Sequence, residues 1–383
     1  MSARPRHRAG GTTERWVECV PDWGATRRES ASHLVGVVLG EGIGPEVVPA
    51  ALGVLDAVGA ASGHRFEVRI VETPARKCGG VGLPQDVTNL CETVFDAGGA
   101  MFCGPVGGRF VYDLRERFDL YCKVVPLRPS PGLSDAMIVG RERLADVDLL
   151  LVRENVSGLY AGAFGRRDGG RVAFQNCAYS AEQVARIVEV AAALAARRRG
   201  HLAVVVKRGG IPEVSALWCE QAERIATERG VALDILDVDN AGFQLVADPR
   251  RFDVLVAPNM LGDVLADVGA VLLGSRGMSY SANFGPAGRA AYQTGHGAAY
   301  DLAGTDRANP LGQILSLATM LRESFGLFDA AGMIEDAVER VLASGVRTPD
   351  VAGPGSRVVG TRILAERVAM EVAERSSFRA EVS

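Results

Sequence analysis

The chain has 383 residues, 48% hydrophobic and 23% charged, the composition of a soluble globular protein long enough for two core-bearing units. A formal net charge of −4 argues against the basic field that nucleic acid or an anionic membrane requires, and no apolar stretch is expected to reach the ~18 residues of a membrane span. Seven scattered cysteines form no Cys-x-x-Cys pair and read as reduced core thiols of a cytoplasmic protein, not as a disulfide framework or zinc site.

Residues 1–33 carry several arginines, among them Arg4, Arg6, Arg8, Arg27 and Arg28, and lack the apolar run of a secretory signal. They are expected to form a loosely held polar tail, part of which Trp16, Val17, Val20 and Trp23 could dock. Leu34–Leu39 is a continuous apolar run, as in a strand buried on both faces. Gly40-Glu-Gly-Ile-Gly44 turns the chain into a helix opened by Pro45 and reaching about Val58. A strand at FEVRIVE, a helix at PQDVTNLCETVFDAGG and a strand at AMFCG follow, an alternation that predicts a largely parallel α/β sheet. The glycine spacing is G-x-G-x-G and lacks the extra residue of the dinucleotide fingerprint, so it predicts a tight turn near a ligand and not a standard phosphate site.

The next strand, ADVDLLLVREN, ends in Arg153, whose charge follows a Leu/Val run and requires an anionic partner, either a structural carboxylate or one on a substrate. SAEQVARIVEVAAALAARRRG is a helix with Ser180 and Gln183 as a capping box. HLAVVVKRGG is a strand ending at Lys207, and a helix closed by Gly230 follows it. Asp239 lies beyond a further strand, where a helix-capping role is ordinary. The strand RRFDVLVAPN leads into the helix NMLGDVLAD, in which Asp263 and Asp267 share one face at i and i+4. Two like charges there repel weakly in water and strongly once desolvated, and Met260, Leu261, Val264, Leu265 and Val268 leave little polar surface around them. A cation between the carboxylates resolves the conflict, and with Asp239 the three suit a hard divalent ion. After Gly274 a glycine-rich stretch containing His296 returns to helix at LGQILSLATMLRESF.

The ordered set Gly40-Glu-Gly-Ile-Gly-Pro-Glu46, Leu114-Arg115, Val152-Arg153-Glu154 with Tyr160, Lys207, Asp239, Asn259-x-x-Gly-Asp263-x-x-x-Asp267, His296-Gly297 and Ala308-Asn309-Pro310 resembles the β-decarboxylating dehydrogenases. That family includes the isocitrate, homoisocitrate, 3-isopropylmalate and tartrate enzymes, and the resemblance covers roughly residues 34–375. It implies a doubly wound α/β sheet in two unequal domains, a larger cofactor-binding one (34–120 plus 274–383) and a smaller one with the dimer interface (121–273). The implied reaction is NAD- and metal-dependent oxidation, with decarboxylation, of a 3-substituted malate-type 2-hydroxy acid. Asp239, Asp263 and Asp267 would hold Mg²⁺ or Mn²⁺, and Arg115 and Arg153 the substrate carboxylates. Lys207, its pKa lowered, would relay the hydroxyl proton, and Tyr160 would protonate C3. His296, Gly297, Asp301 and Asn309 would bind the cofactor, with Asp301 on the ribose hydroxyls of NAD. Lys207 and Asp239 would complete the site of the other subunit of a homodimer.

Four places depart from that pattern. The gapless match to the family's Asn-x-Arg-Pro is Lys123-Val-Val125-Pro126, which removes a carboxylate-binding arginine and leaves Arg128 or Lys123 as replacements. Gly209, Gln293 with Thr294, and Ala298 stand where relatives carry asparagine, glutamate with proline, and a hydroxyl residue. Two alternatives follow: a non-decarboxylating hydroxy-acid dehydrogenase of the same family, and a catalytically silent regulatory subunit, which intact Tyr160 and Lys207 disfavour.

Overall fold

The structure is a computed structural model that describes residues 15–21, 23–26, 32–71 and 82–382. Arg4, Arg6, Arg8, Arg27, Arg28 and Cys78 lie outside the described residues. The first strand, β1 (His33–Val38), is followed by α1 (Gly44–Ser62), β2 (Phe66–Val71), α2 (Gln85–Asp96), β3 (Ala100–Cys103) and α3 (Phe110–Arg117). The middle of the chain forms β4 (Cys122–Leu127), α4 (Arg141–Leu144), β5 (Leu149–Glu154), a hairpin of β6 (Phe164–Arg167) and β7 (Val172–Gln175), and α5 (Ala181–Ala196). Then come β8 (His201–Val206), α6 (Pro212–Arg229), β9 (Ala232–Asp237), α7 (Val238–Ala247), β10 (Val254–Ala257) and α8 (Asn259–Gly269). The chain closes with β11 (Tyr280–Phe284), β12 (Ala290–Thr294), α9 (Leu311–Glu323), α10 (Phe328–Ala343), the short β13 (Val346–Arg347) and β14 (Arg357–Val358), and α11 (Thr361–Val382).

Ten strands form one sheet in the order β2-β1-β3-β12-β11-β4-β5-β10-β8-β9. Its flanks are parallel, as the alternating strands and helices predict, but its centre is not: β12 with β11, β11 with β4, and β4 with β5 pair antiparallel. The reason is local for β11 and β12, which a five-residue turn (285–289) joins as a hairpin within the glycine-rich stretch. Where two parallel halves meet back to back, β4 and β5 are buried along their whole length, so polar residues on them must serve a purpose.

The part of the tail that its apolar residues could dock does pack onto the core. Residues 16–19 and 23–26 form two short 3₁₀ turns, with Val17, Val20 and Trp23 buried. Val17 N–H donates to Glu323 at 3.3 Å, and the Trp23 ring meets Phe284 edge-on at 5.6 Å. Helix α1, over its 19 residues, is apolar enough to bear comparison with a membrane span, contrary to expectation. It is instead a core helix, burying Val47, Val48, Ala51, Val54, Leu55 and Val58, and it packs against α9, α10 and α11. Cys91, Cys103 and Cys122 are buried free thiols.

Candidate active site

Lys123 on β4 faces Arg153 on β5 across the ladder and Asn283 on β11 on its other side, so one row of the sheet's buried centre is polar. Helix α8 lies over this face. It begins directly after β10, which places Asn259 above Arg153, and its far end rests on β4, where a Cβ at Gly269 would meet Leu127 at 2.3 Å. Gly262 has a similar reason: a side chain there would stand 3.0 Å from Arg153 Cγ, so only glycine lets the arginine stem pass beneath the helix.

Arg153 is 1% exposed. Its Nε and Nη2 donate to Asn259 Oδ1 at 3.0 and 2.7 Å, and its Nη1 to Asp263 Oδ1. Asn259 is itself held by Tyr179, whose hydroxyl accepts the Asn259 backbone N–H at 2.9 Å, and by Ser157 O. The second oxygen of Asp263 accepts the Tyr160 hydroxyl at 3.1 Å, and the Arg153 guanidinium lies 5.6 Å from the Tyr160 ring centre. Burial alone would raise the Asp263 carboxyl, but Arg153, Lys123, the Tyr160 hydrogen bond and Arg115 together hold it below its ordinary value. Burial and the adjacent Asp263 push the Tyr160 phenol up to about 12.

Arg115, in the last turn of α3, is buried beside this cluster. Burial and the Arg153 charge pull its guanidinium down to about 9, so it stays charged at neutral pH. Its Nε is buried without a hydrogen-bond partner among the described residues. Tyr112, one turn earlier, meets Tyr160 edge-on at 5.2 Å and sits beneath both Arg109 and Arg115. Burial, then Arg115 and Arg153, pull the Lys123 ammonium well below its ordinary value. The sequence assigned no firm role to Lys123, Tyr112 or Asn259. Lys123 did carry a signal, a charge inside an apolar strand.

Within one protomer the repulsion between the α8 carboxylates is relieved by arginines. Each aspartate has its own guanidinium: Asp263 has Arg153, and Asp267 has Arg276 at 2.9 Å. Asp239 is not the N-cap of α7 but accepts the Asn240 backbone N–H of its first turn at 3.1 Å. It lies in the first turn of α7 and pairs with Lys207 Nζ at 2.9 Å, while Asp237 occupies the N-cap position. Among the described residues no three His, Cys, Asp or Glu side chains converge on a metal-sized site. The donor chemistry, carboxylate oxygens only, fits a hard divalent ion, and one protomer brings two of the three donors together on α8. Within one protomer the hydrogen bond to Asp239 raises the Lys207 ammonium; the lowering expected beside the metal and the arginines belongs to the assembled site.

The glycine turn between β1 and α1 is filled by protein. Ile43 N–H donates to Ala298 O at 2.9 Å, and a Cβ at Gly42, where φ is +60°, would fall on that carbonyl. Glu46 accepts the backbone N–H groups of Gly304 and Asp306 and so clamps the loop that carries the cofactor candidates. In that loop His296 Nδ1 lies 3.0 Å from Gly297 O, and its Nε2 is buried without a partner among the described residues, a polar atom aimed where a ligand could satisfy it. Gly297 and Asp301 are exposed. Asn309 is buried and fully engaged, donating to Asp350 at 3.1 Å and accepting from Leu311 N–H at 2.9 Å, so it braces the loop from beneath.

Three comparisons with known proteins point to one family. The family model described as isocitrate/isopropylmalate dehydrogenase matches residues 34–368. The chain is 38% identical over 361 residues to a 3-isopropylmalate dehydrogenase of Moorella thermoacetica, covering 89% of this chain and 99% of the relative. It is 39% identical over 358 residues to the 3-isopropylmalate dehydrogenase of Gloeobacter violaceus, covering 88% and 97%. Among solved structures, isocitrate dehydrogenase from Methylococcus capsulatus superposes with a TM-score of 0.79 at 31% identity, covering 89% of this chain and 99% of that one.

Proposed function

The chain belongs to the isocitrate/isopropylmalate dehydrogenase family, and we propose that it is an NAD- and divalent-metal-dependent dehydrogenase that oxidises and decarboxylates a 3-substituted malate. The observation that carries this reading is the hydrogen-bonded unit Arg153–Asp263–Tyr160 beside Arg115, which places two guanidinium groups and a protonated phenol around one carboxylate of α8.

Asp263 and Asp267, with Asp239 of the partner subunit, would hold the divalent metal, which would supply Lewis-acid polarisation at the C2 oxygen, and NAD would supply the acceptor for the C2 hydride. Arg115 and Arg153 orient the substrate through its carboxylates, where a planar fork fixes angle as well as position. Lys207 of the partner subunit takes the hydroxyl proton as the carbonyl forms. The C–C bond to the C3 carboxylate then breaks and carbon dioxide leaves. Tyr160 returns a proton to C3, a role its raised pKa suits because the phenol stays protonated at neutral pH. His296, Gly297 and Asp301 face the adenosine end of the cofactor. The larger unit of residues 34–120 plus 274–383 carries the cofactor loop, and 121–273 the shared surface.

The homodimer is supported by the outer faces of α7 and α8, where Phe243, Met260 and Val264 are 68%, 37% and 55% exposed. Three apolar side chains on two packed helices suit a second copy of the same surface. The experiment that tests the function is NADH formation, dependent on Mg²⁺ or Mn²⁺, against a panel of 3-substituted malates. No NADH from any of them overturns it in favour of the silent-subunit reading. NADH without carbon dioxide favours the non-decarboxylating one.

A further inference from the structure

Lys123 is the one charged residue of β4 and is 4% exposed. Its direct partner across the ladder is Arg153, another buried cation, and like charges placed opposite one another in a sheet destabilise it. Asp263 and Asn259 satisfy Arg153. Lys123 and Arg115 have no carboxylate within ion-pair distance among the described residues. Left without anions, the buried Arg115 guanidinium and the Lys123 amine, whose protonation burial and the neighbouring arginines disfavour, make a receptor that an arriving carboxylate completes.

The same face of β4 continues with Val125 and Leu127, opposite Leu151 and Leu149, so no second cation lies along it. Arg128 follows the far end of the strand, is exposed, and acts on Tyr280, which lies at the opposite end of β11 from Phe284, the partner of Cys122. It is therefore not the cation that replaces the missing arginine.

We infer that Lys123 receives the substrate carboxylate distal to the hydroxyl, so that this site recognises its dicarboxylate through a compact ammonium where relatives would offer a further guanidinium. The inference rests on the proposed dehydrogenase reading for the identity of the ligand, but its test needs no turnover. An ammonium supplies three freely rotating donors and one point charge, and lacks the in-plane fork of arginine. Recognition at this subsite is consequently less demanding of carboxylate orientation, which admits C3 substituents that tilt the distal carboxylate.

The experiment is calorimetric titration of the full chain with Mg²⁺ present, using malate and 2-hydroxybutyrate, which share a four-carbon skeleton and differ in the distal carboxylate. Lys123→Met should weaken malate binding by roughly 30-fold or more, the usual cost of truncating one side of a buried charge pair. Binding of 2-hydroxybutyrate should change by less than about threefold. Lys123→Gln, which keeps length and polarity, should behave like Lys123→Met and covers the case in which the methionine variant does not fold. Equal losses for both acids would reveal a structural lysine and overturn the inference. So would unchanged malate affinity, or no malate binding by the unmodified protein. If malate binding depends on Lys123 but no malate derivative yields NADH, the inference stands and the dehydrogenase reading alone fails.

Discussion

Tyr160 donates its hydroxyl to one oxygen of Asp263 at 3.1 Å while Arg153 occupies the other. The proposed proton donor and a proposed metal ligand are thus one hydrogen-bonded unit before any ligand arrives. The arrangement also removes the repulsion that the α8 carboxylates would suffer alone, because Asp263 and Asp267 each face their own arginine.

Asp263→Asn should therefore destabilise the metal-free protein. It deprives a buried guanidinium of its anion, a loss discounted because Asp263 is 39% exposed, and the expected effect is about 1–2 kcal/mol in denaturant unfolding. Mn²⁺ should raise the melting temperature of the unmodified protein but not of this variant, and chelation should abolish activity. Full turnover in excess chelator would sink the metal assignment.

Tyr160→Phe should lower kcat by roughly 10²–10³-fold with little change in unfolding midpoint, since the ring and its contacts with Tyr112 remain. The phenol, held at about 12, stays protonated through neutral and mildly alkaline pH, so the activity profile should show no alkaline loss from this group there. A kcat within about twofold of the unmodified protein contradicts the role of proton donor.

Mixing Tyr160→Phe with Lys207→Ala under subunit exchange should restore up to about a quarter of the unmodified activity, because half of the dimers are hybrid and each hybrid carries one intact site. Confirmed exchange without recovery would show that Lys207 serves its own protomer, where it already pairs with Asp239.

NAD should be preferred to NADP. Asp301 is exposed on the cofactor loop and makes no hydrogen bond or ion pair among the described residues, so its oxygens are open to ribose hydroxyls and repel a 2′-phosphate. A higher kcat/KM with NADP would contradict this, and Arg307 is the cation that would then explain it.

Val125→Arg, which restores the guanidinium of relatives, should not by itself improve turnover of 3-isopropylmalate. Val125 is 1% exposed, and an arginine there would bury one more cation two residues from Lys123. Pairing it with Lys123→Asn keeps the charge constant and should raise kcat/KM for that acid. Improvement by the single substitution, with unchanged stability, would show that the site tolerates a fourth buried basic residue.

Much of this was legible along the chain. Leu34–Leu39 and Leu149–Val152 are apolar runs that read as buried strands, Ser180 and Gln183 announce the start of α5 and form its capping box, and the order of motifs from Gly40 to Asn309 carries the family. These are local signals: hydrophobic period, caps and turn residues act within a few positions of themselves. The antiparallel centre and the partners of Asp263, Asp267 and Asp239 were not legible. Nor was the choice between Lys123 and Arg128, whose side chains stand five residues apart in one segment. Sheet register decided it, by setting Lys123 opposite Arg153 beneath α8 and carrying Arg128 past the other end of the strand. Which charges face one another across a sheet depends on pairing between distant segments, and that only the tertiary structure could decide.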